Sequence, residues 1–192
     1  MARKTNKKSR SGAKAKLSRE RWLAAALDVF RDEGIEGVRV ERLARELDVT
    51  KGSFYWHFKD RRELLKSMLK YWDEEFTDVV TSDPDFQSGN PRKRLESVAM
   101  MIEDRNLARF DLAIRAWAHH DAEAATAVRK VDRKRIKFVR SLFAEMGFQG
   151  KELDARTRIF VVFHSLQQTI TGKTSRVERL RLLKIEHKLL TS

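Results

Sequence analysis

Apolar residues recur at helical spacing along most of the chain, and this pattern predicts an all-α fold. Two short amphipathic helices, over residues 40–47 and 51–58, are separated by Asp48 and Val49, which leave room only for a tight turn. The periods predict about nine helices, over residues 18–34, 40–47, 51–58, 60–80, 91–105, 109–120, 123–146, 151–170 and 175–190. The stretch over residues 81–91, rich in Pro, Gly, Asp and Ser, is the clearest break between them.

The two short helices and their turn predict a helix-turn-helix. Thr50 has the side chain of an N-cap, so we expect its hydroxyl to accept a hydrogen bond from an N–H at the start of the second helix. Asp60 should cap the following helix, with Glu63 completing a capping box. A helix of this kind fits the major groove of DNA, and its first residues reach the base edges.

The stretch TKGSFYWHFKDRRELL resembles the DNA-binding signature of the TetR/AcrR family of transcriptional regulators, and the resemblance covers about residues 18–65. Two positions depart from the family pattern. Arg39 stands where members usually have a Ser or Thr cap, and Asp48 stands where they usually have Gly. We expect the same turn, because Asp tolerates a positive φ better than most residues.

The resemblance, together with side-chain chemistry, assigns DNA contacts along the second helix. Lys51, Ser53 and His57 are the candidates for base edges, and Gly52 would let the backbone approach closely. Tyr55 would bind a phosphate, while Trp56 would contact the sugar or a thymine methyl, or else pack in the core. The predicted DNA-binding set is Thr50, Lys51, Gly52, Ser53, Tyr55, Trp56, His57, Lys59 and Arg61.

The charge balance agrees with a polyanionic partner. Lys and Arg number 41 against 28 Asp and Glu, a net +13, and residues 1–62 alone hold 17 basic and 9 acidic residues. The absence of cysteine excludes disulfides and fits a cytoplasmic protein. No apolar run is long enough for a membrane helix, so no membrane partner is expected. We also find no catalytic motif, which predicts that the chain is not an enzyme and needs no metal or cofactor.

Three domains are expected: a disordered basic arm over residues 1–16, the helix-turn-helix domain over residues 17–62, and a ligand-binding and dimerisation domain over residues 63–192. The arm holds seven basic residues and no acidic one. It would either track DNA phosphates or act as a solvated tail. The basic middle of the helix over residues 123–146 is interpreted as a solvated face rather than a second DNA site.

The C-terminal half should form an antiparallel helical bundle. Its last helix is apolar on more than one face, which favours a partner surface, and the resemblance implies a homodimer formed through residues 151–190. Aromatic and polar residues in the bundle could instead line a pocket for an unknown small-molecule effector, although each could equally be core. These pocket candidates are Trp72, Met101, Phe110, Trp117, Phe163, His164 and Gln167.

The sequence therefore predicts a sequence-specific DNA-binding regulator, a repressor if it follows the family. It would bind a pseudo-palindromic operator as a dimer and be released or retuned by a small molecule. The alternative is a DNA-binding protein without small-molecule input, either architectural or regulated by a protein partner. Selectivity for DNA sequence would separate an architectural protein from the regulator.

Overall fold

The computed structural model describes residues 18–170 and 175–192 and shows an all-α fold. The basic arm expected over residues 1–16 lies outside the described residues. Within the described ranges there are nine helices and no strand: α1 (Arg19–Glu33), α2 (Val40–Glu46), α3 (Lys51–Tyr55), α4 (Arg61–Asp73, then Glu74–Asp78 and Val79–Thr81), α5 (Pro91–Asp104), α6 (Asp111–Ala118), α7 (Ala122–Glu145), α8 (Gly150–Ile170) and α9 (Arg176–Thr191). None of the described helices is long and apolar enough to cross a membrane.

The first three helices form a small head that packs on α4. Ser18 caps α1 by accepting from the N–H of Arg21, and the N–H of Gly34 donates to Phe30 O at the other end. Gly34 has φ 73°, a positive value that glycine adopts without the steric cost that other residues incur. Trp22 and Phe54 are fully buried in the head core. This core fixes the angle between α1 and the helix-turn-helix.

The long helix α4 connects the head to the bundle and contains an unexpected irregularity. Its α-helical part ends at Asp73, and a π-helical segment, Glu74–Asp78, follows before a last α-helical turn. Within this π segment the N–H of Val79 donates to Glu74 O, five residues back. The sequence predicted an uninterrupted rod, because the apolar period continues through the segment.

The bundle is organised around α7, which contacts α4, α5, α6 and α8. The last helix, α9, packs on α5. Its C-terminal end is held by Arg156 of α8, whose guanidinium donates to Leu190 O at 2.6 Å and to the Ser192 carbonyl at 3.0 Å. The two C-terminal helices are therefore joined to each other as well as to the bundle.

Predicted and observed helix boundaries differ most at the short helices. The second helix of the helix-turn-helix ends at Tyr55, not at Phe58, although Phe58 remains buried in the following turn. The helix expected over residues 109–120 covers only Asp111–Ala118. The helix ends before Asp121, which caps α7 by accepting from the N–H of Ala124 at 2.8 Å.

Candidate functional site

The turn of the helix-turn-helix forms without the glycine that the family pattern usually has there. Asp48 has φ 51°. Its N–H donates to Arg45 O at 3.2 Å, and the N–H of Val49 donates to Ala44 O at 2.9 Å. The expected positive φ at Asp48 is confirmed, and the turn between α2 and α3 therefore forms without glycine.

An aromatic cluster holds α3 from behind. The Phe54 ring lies 5.5 Å from that of Trp22 and 5.2 Å from that of Phe58, measured between centroids. All three rings are essentially fully buried. On the other side of the helix Tyr55 is 63% exposed and Trp56 is 78% exposed. Burial of one face therefore determines which residues α3 presents to solvent.

The residues predicted to contact DNA lie mostly on this exposed side. Thr50, Lys51, Gly52, Tyr55, Trp56 and Lys59 are exposed, while Ser53, His57 and Arg61 are partly buried. The ammonium of Lys51 lies 2.8 Å from Glu41 Oε1, and the Lys51 side chain is 61% exposed. An exposed pair of this kind is weak, so Lys51 can exchange Glu41 for a DNA acceptor.

Arg61, one of the predicted DNA-binding residues, also makes two hydrogen bonds within the head. Its Nε donates to Val38 O at 2.6 Å and its Nη2 donates to Ile35 O at 2.5 Å. These bonds brace the loop between α1 and α2, because they tie two of its carbonyls to the start of α4. Arg61 therefore helps to position the head, and its predicted contact with DNA stays a prediction.

The two expected caps behave differently. Thr50 lies at the N-cap position of α3, but within the described chain its side chain makes no capping bond. The hydroxyl cap was wrong; the Thr50 carbonyl closes the first turn, accepting from Ser53 N–H at 3.0 Å. Asp60 does cap α4, with Glu63 N–H 2.8 Å from its Oδ1. The Glu63 carboxylate reaches back to the N–H of Lys59, which fixes the backbone before α4.

Gly52 has open space around it in the free protein. A Cβ built on Gly52 would meet Thr50 Oγ1 at 3.7 Å, an ordinary contact. The fold therefore does not require glycine at this position. Gly37 is the opposite case, since its Cβ would lie 2.6 Å from Glu33 Cβ.

A pocket of about 50 Å³ lies between α4, α5, α7 and α8. We call it the bundle pocket. Its apolar walls include three phenylalanines, Phe76, Phe138 and Phe160, and its polar lining includes Thr77, Arg135, His164 and Ser165. The π segment of α4 contributes Phe76 and Thr77. The pocket thus touches the helix that leads to the head.

One of the seven predicted ligand-binding residues lines the bundle pocket. It is His164, whereas the other six lie outside this pocket, and their assignment as ligand-binding residues stays a prediction. Trp72 and Phe110 are fully buried in the core, and Trp117 packs against Phe30 of the head with ring centroids 5.5 Å apart. Gln167 Nε2 lies 3.4 Å from Glu103 Oε2. Met101 and Phe163 are partly buried outside the pocket.

Arg135 joins the bundle pocket to a buried polar network. Its guanidinium pairs with Asp111, which is fully buried and also accepts from the indole N–H of Trp72 at 2.9 Å. The same guanidinium donates to Thr77 Oγ1 at 3.1 Å and to Ser165 Oγ at 3.2 Å. The basic stretch around Arg135 was interpreted from the sequence as a solvated face. A helical projection of α7, however, puts Arg135 on the same side as the buried residues Val131, Val139 and Leu142.

His164 is a buried imidazole without a compensating partner. It is 5% exposed, and its Nδ1 has no hydrogen-bond partner among the described residues. Burial lowers the pKa of His164 to about 4. The imidazole is therefore neutral at pH 7.

The described residues contain no group of three or more His, Cys, Asp or Glu side chains that could hold a metal ion. The rings of His119 and His120 lie 6.5 Å apart between centroids and both side chains are exposed. The helix-turn-helix surface and the bundle pocket remain the two arrangements with recognisable chemistry.

Comparison with known proteins gives matches to part of the chain, including the helix-turn-helix. Residues 23–68 match the profile of a family described as bacterial regulatory proteins, tetR family. The uncharacterised HTH-type transcriptional regulator TtgW of Pseudomonas putida is 41% identical over 69 residues, which are 36% of this chain and 47% of that protein. Tetracycline repressor protein class C of Escherichia coli is 43% identical over 55 residues, 29% of this chain and 25% of that protein.

The fold of the whole chain is similar to that of solved regulators. The crystal structure of a transcriptional regulator from Rhodococcus sp. Rha1 superposes with a TM-score of 0.72 at 20% identity, over 91% of this chain and 96% of that one. This likeness concerns the fold alone. The sequence alignments span less than half of the length of TtgW and a quarter of that of the tetracycline repressor.

Proposed function

We propose that this chain, whose residues 23–68 match the tetR family of bacterial regulatory proteins, is a transcriptional regulator rather than an enzyme and binds a pseudo-palindromic operator as a homodimer. In this proposal the bound dimer represses transcription in the cytoplasm. A small molecule bound by residues 63–192 releases or retunes it, while residues 17–62 form the DNA-binding domain.

The observation that carries the proposal is the exposed N-terminal end of α3. The apolar side of α3 is locked by Trp22 and Phe58, so Lys51, Gly52 and Ser53 are held at the surface in a fixed orientation. Lysine recognises guanine O6 and N7, and serine can pair with several bases. Tyr55 and Lys59 would bind phosphates on either side, which sets the register of the helix in the groove.

Exposed apolar side chains on the last two helices support the dimer. Ile159 and Val162 of α8 are 56% and 57% exposed, and Ile185 and Leu189 of α9 are 57% and 68% exposed. Adjacent exposed apolar residues of this kind typically mark an interface. A second copy of the same two helices would cover them, and two heads would then read half-sites about 34–36 Å apart or a multiple of that distance.

The bundle pocket supports control by a small molecule. Its position against the π segment means that a bound molecule contacts the helix that carries the head. A ligand shifts the head only if it binds one head arrangement more tightly than another. We propose that the arrangement with the tighter ligand affinity is the one that does not fit the operator.

Selection of DNA sites from a random pool, at near-physiological salt and with the full chain, tests the DNA-binding part. We expect enrichment of a palindrome with fixed half-site spacing. Lys51→Ala should change the preferred base at one position, at about 1–3 kcal/mol for a lost base contact. Lys137→Ala removes an exposed charge far along α7 and serves as the control for net charge. Binding without enrichment would contradict the proposal and favour architectural DNA binding.

One observation favours a second candidate, a DNA-binding regulator without a small-molecule effector. The bundle pocket measures about 50 Å³, a third of the roughly 150 Å³ in which an engineered protein cavity binds benzene. If no small molecule stabilises the protein, control by a protein partner becomes the better explanation. The two candidates share the operator and differ only in the signal.

A further inference from the structure

The lining of the bundle pocket favours a ligand that is mostly apolar. Phe76, Phe138 and Phe160 line it together with aliphatic residues such as Val98 and Ile102. The Phe160 ring lies 4.2 Å from the imidazole of His164, between centroids. A flat apolar group that enters here would lie among aromatic rings, an arrangement typical of ligand sites.

Arg135 does not offer the pocket a free positive charge. A guanidinium has five N–H donors. Nε donates to Thr77 Oγ1, Nη1 to Asp111 Oδ2 and Ser165 Oγ, and Nη2 to Asp111 Oδ1 and Phe76 O. All five are engaged, and Asp111 balances the charge. An anionic ligand would therefore have to break this network before it gained a partner.

His164 is the residue of the pocket lining whose side chain has a buried polar atom without a hydrogen-bond partner among the described residues. Its Nδ1 is buried and has no partner within the described chain, and the ring is uncharged at neutral pH because burial lowers its pKa. A neutral imidazole has one N–H donor and one acceptor nitrogen. A buried polar atom of this kind is unfavourable until it is paired, so a ligand that pairs with it gains affinity.

We propose that the effector of this regulator is a small, uncharged, mostly apolar molecule with one hydroxyl group, and that this hydroxyl pairs with Nδ1 of His164. A hydroxyl both donates and accepts, so it matches either tautomer of the ring. The inference rests on the proposed ligand-controlled function. It adds the chemical class of the ligand and the atom that recognises it.

The size of the bundle pocket connects recognition to control. At about 50 Å³ it has about a third of the volume of the engineered cavity, roughly 150 Å³, that binds benzene. Ligand entry must therefore displace a wall. The wall formed by Phe76 and Thr77 belongs to the π segment, whose hydrogen bonding can revert to the ordinary α-helical pattern. Displacement of this wall would move α4 and hence the head.

Matched probes test the ligand class on the full-length protein. Affinities for phenol, toluene, benzoate and benzylammonium are measured by calorimetric titration at pH 7. We expect phenol to bind about fivefold more tightly than toluene, which replaces the hydroxyl by a methyl of similar size. Both charged probes should bind at least about tenfold more weakly than phenol, because the pocket would have to desolvate their charge.

Two histidine variants locate the contact. His164→Leu should abolish the preference for phenol over toluene. His187→Leu should keep it, since His187 also has a buried, unpartnered Nδ1 in the described chain but lies on α9, outside the pocket. If His164→Leu does not fold, the imidazole ¹⁵N shifts of the wild-type protein decide: phenol should move the Nδ1 signal of His164, and toluene should not.

The outcomes separate this inference from the proposed function. Equal affinity for phenol and toluene, tightest binding of benzoate, no binding of any probe, or an unchanged preference in His164→Leu each overturns the ligand class. DNA selection on the same preparation is independent of these results. An enriched palindrome would leave the DNA-binding function standing, whereas its absence would remove that function.

Discussion

At the scale of single residues, Gly52 separates what the fold needs from what DNA needs. Because a Cβ at Gly52 meets no clash, Gly52→Ala should leave the fold intact and raise the free energy of unfolding by about 0.5 kcal/mol. The added methyl would nevertheless stand between the α3 backbone and DNA. We expect operator affinity to fall at least about tenfold, measured by fluorescence anisotropy beside urea unfolding.

Gly37→Ala is the matched control for this prediction. Its Cβ would lie 2.6 Å from Glu33 Cβ, so this substitution should lower stability instead. The two alanines should therefore shift stability in opposite directions. Unchanged operator affinity in Gly52→Ala would show that the α3 backbone does not approach DNA closely at this point.

A second prediction at this scale concerns acid stability. The pKa of His164 is about 4 in the folded protein, below the value of 6.5 expected for an unburied histidine. Between these pH values the unfolded chain binds a proton that the folded chain does not. Stability should therefore fall as the pH drops from 6.5 towards 4, by roughly 3 kcal/mol from this group alone, and the contribution should level off below pH 4.

Urea unfolding of the wild type and of His164→Leu between pH 7 and pH 4 measures this contribution. Carboxylates titrate in both proteins, so the difference between the two pH profiles isolates the histidine. The variant should lose less stability over this range. Parallel profiles would mean that the pKa of the imidazole is the same in the folded and the unfolded protein.

Residue roles could be predicted from the sequence where local chemistry decides them. Asp48 and Asp60 adopt the expected conformations because turn geometry and capping depend on neighbours in the chain. The side-chain cap expected of Thr50 does not form, and the backbone partners of Arg61 were not foreseen. Arg61 finds its partners at Ile35 and Val38, more than twenty residues away, so no local pattern indicates these hydrogen bonds.

At the scale of elements, the π segment is held by cations of α7. The ammonium of Lys134 lies 2.7 Å from Asp73 Oδ1 and 2.7 Å from Asp78 Oδ1. Residues five apart point about 140° away from each other on an α-helix, but they stack on a π-helix. Burial alone would raise the pKa of Asp73, but hydrogen bonds from Lys130 and Lys134 outweigh it and lower the pKa. One lysine thus favours the π register.

Lys134→Met should therefore weaken both the fold and DNA binding. It leaves Asp73 with Lys130 alone and brings the two aspartates together without the shared cation. We expect a loss of about 2 kcal/mol in the free energy of unfolding, less than for a fully orphaned buried charge. Operator affinity should also fall, although Lys134 lies in the bundle, because the register of α4 sets the head position.

Lys137→Met is the control, since Lys137 is exposed on the same helix. It should change stability by no more than about 0.5 kcal/mol. Equal losses in the two variants would show that net charge, not the bridge between Asp73 and Asp78, was responsible.

Helix extents were predictable because the apolar period of 3.6 residues fixes which stretches must bury a face. The π segment was not, since its apolar residues keep nearly the same period. Its register depends on Lys134 and Arg135, more than fifty residues along the chain. The same dependence explains why the bundle pocket could not be assembled from the sequence.

At the scale of the whole molecule, the proposed dimer makes a direct prediction. Ile185→Glu places a charge on the exposed stripe of Leu182, Ile185 and Leu189 on α9. We expect the dimer to dissociate at micromolar concentration, by analytical ultracentrifugation, because burying an unpaired carboxylate costs several kcal/mol. Binding to the palindrome should drop towards that of a single half-site.

Leu112→Glu on α6 provides the comparison, since Leu112 is 55% exposed and lies on neither α8 nor α9. This variant should keep the mass and operator affinity of the wild type. A monomeric wild type, or dissociation by Leu112→Glu alone, would contradict the assignment of the interface to the last two helices.

The head could be anticipated in more detail than the bundle. A helix-turn-helix is contained in one short stretch, so its turn, caps and aromatic core follow from adjacent residues. The bundle is assembled from contacts between distant helices, and its amphipathic patterns indicate only that they pack. Asp111 shows the difference: on the sequence it is one carboxylate among many, but in the fold it is fully buried between Trp72 and Arg135.

The π segment has a consequence for building hybrid regulators from this chain. Glu74–Asp78 changes the register of α4 between the part that carries the head and the part that enters the bundle. A foreign head joined before Asp73 would leave the π segment in contact with Lys130, Lys134 and Arg135. The orientation of the head relative to the bundle would then be kept. A foreign helix joined after Val79 with one residue fewer or more would turn the head by about 100° and shift it by about 1.5 Å. The part of the chain that can be exchanged is therefore the head together with a portion of Arg61–Asp73, the first part of α4.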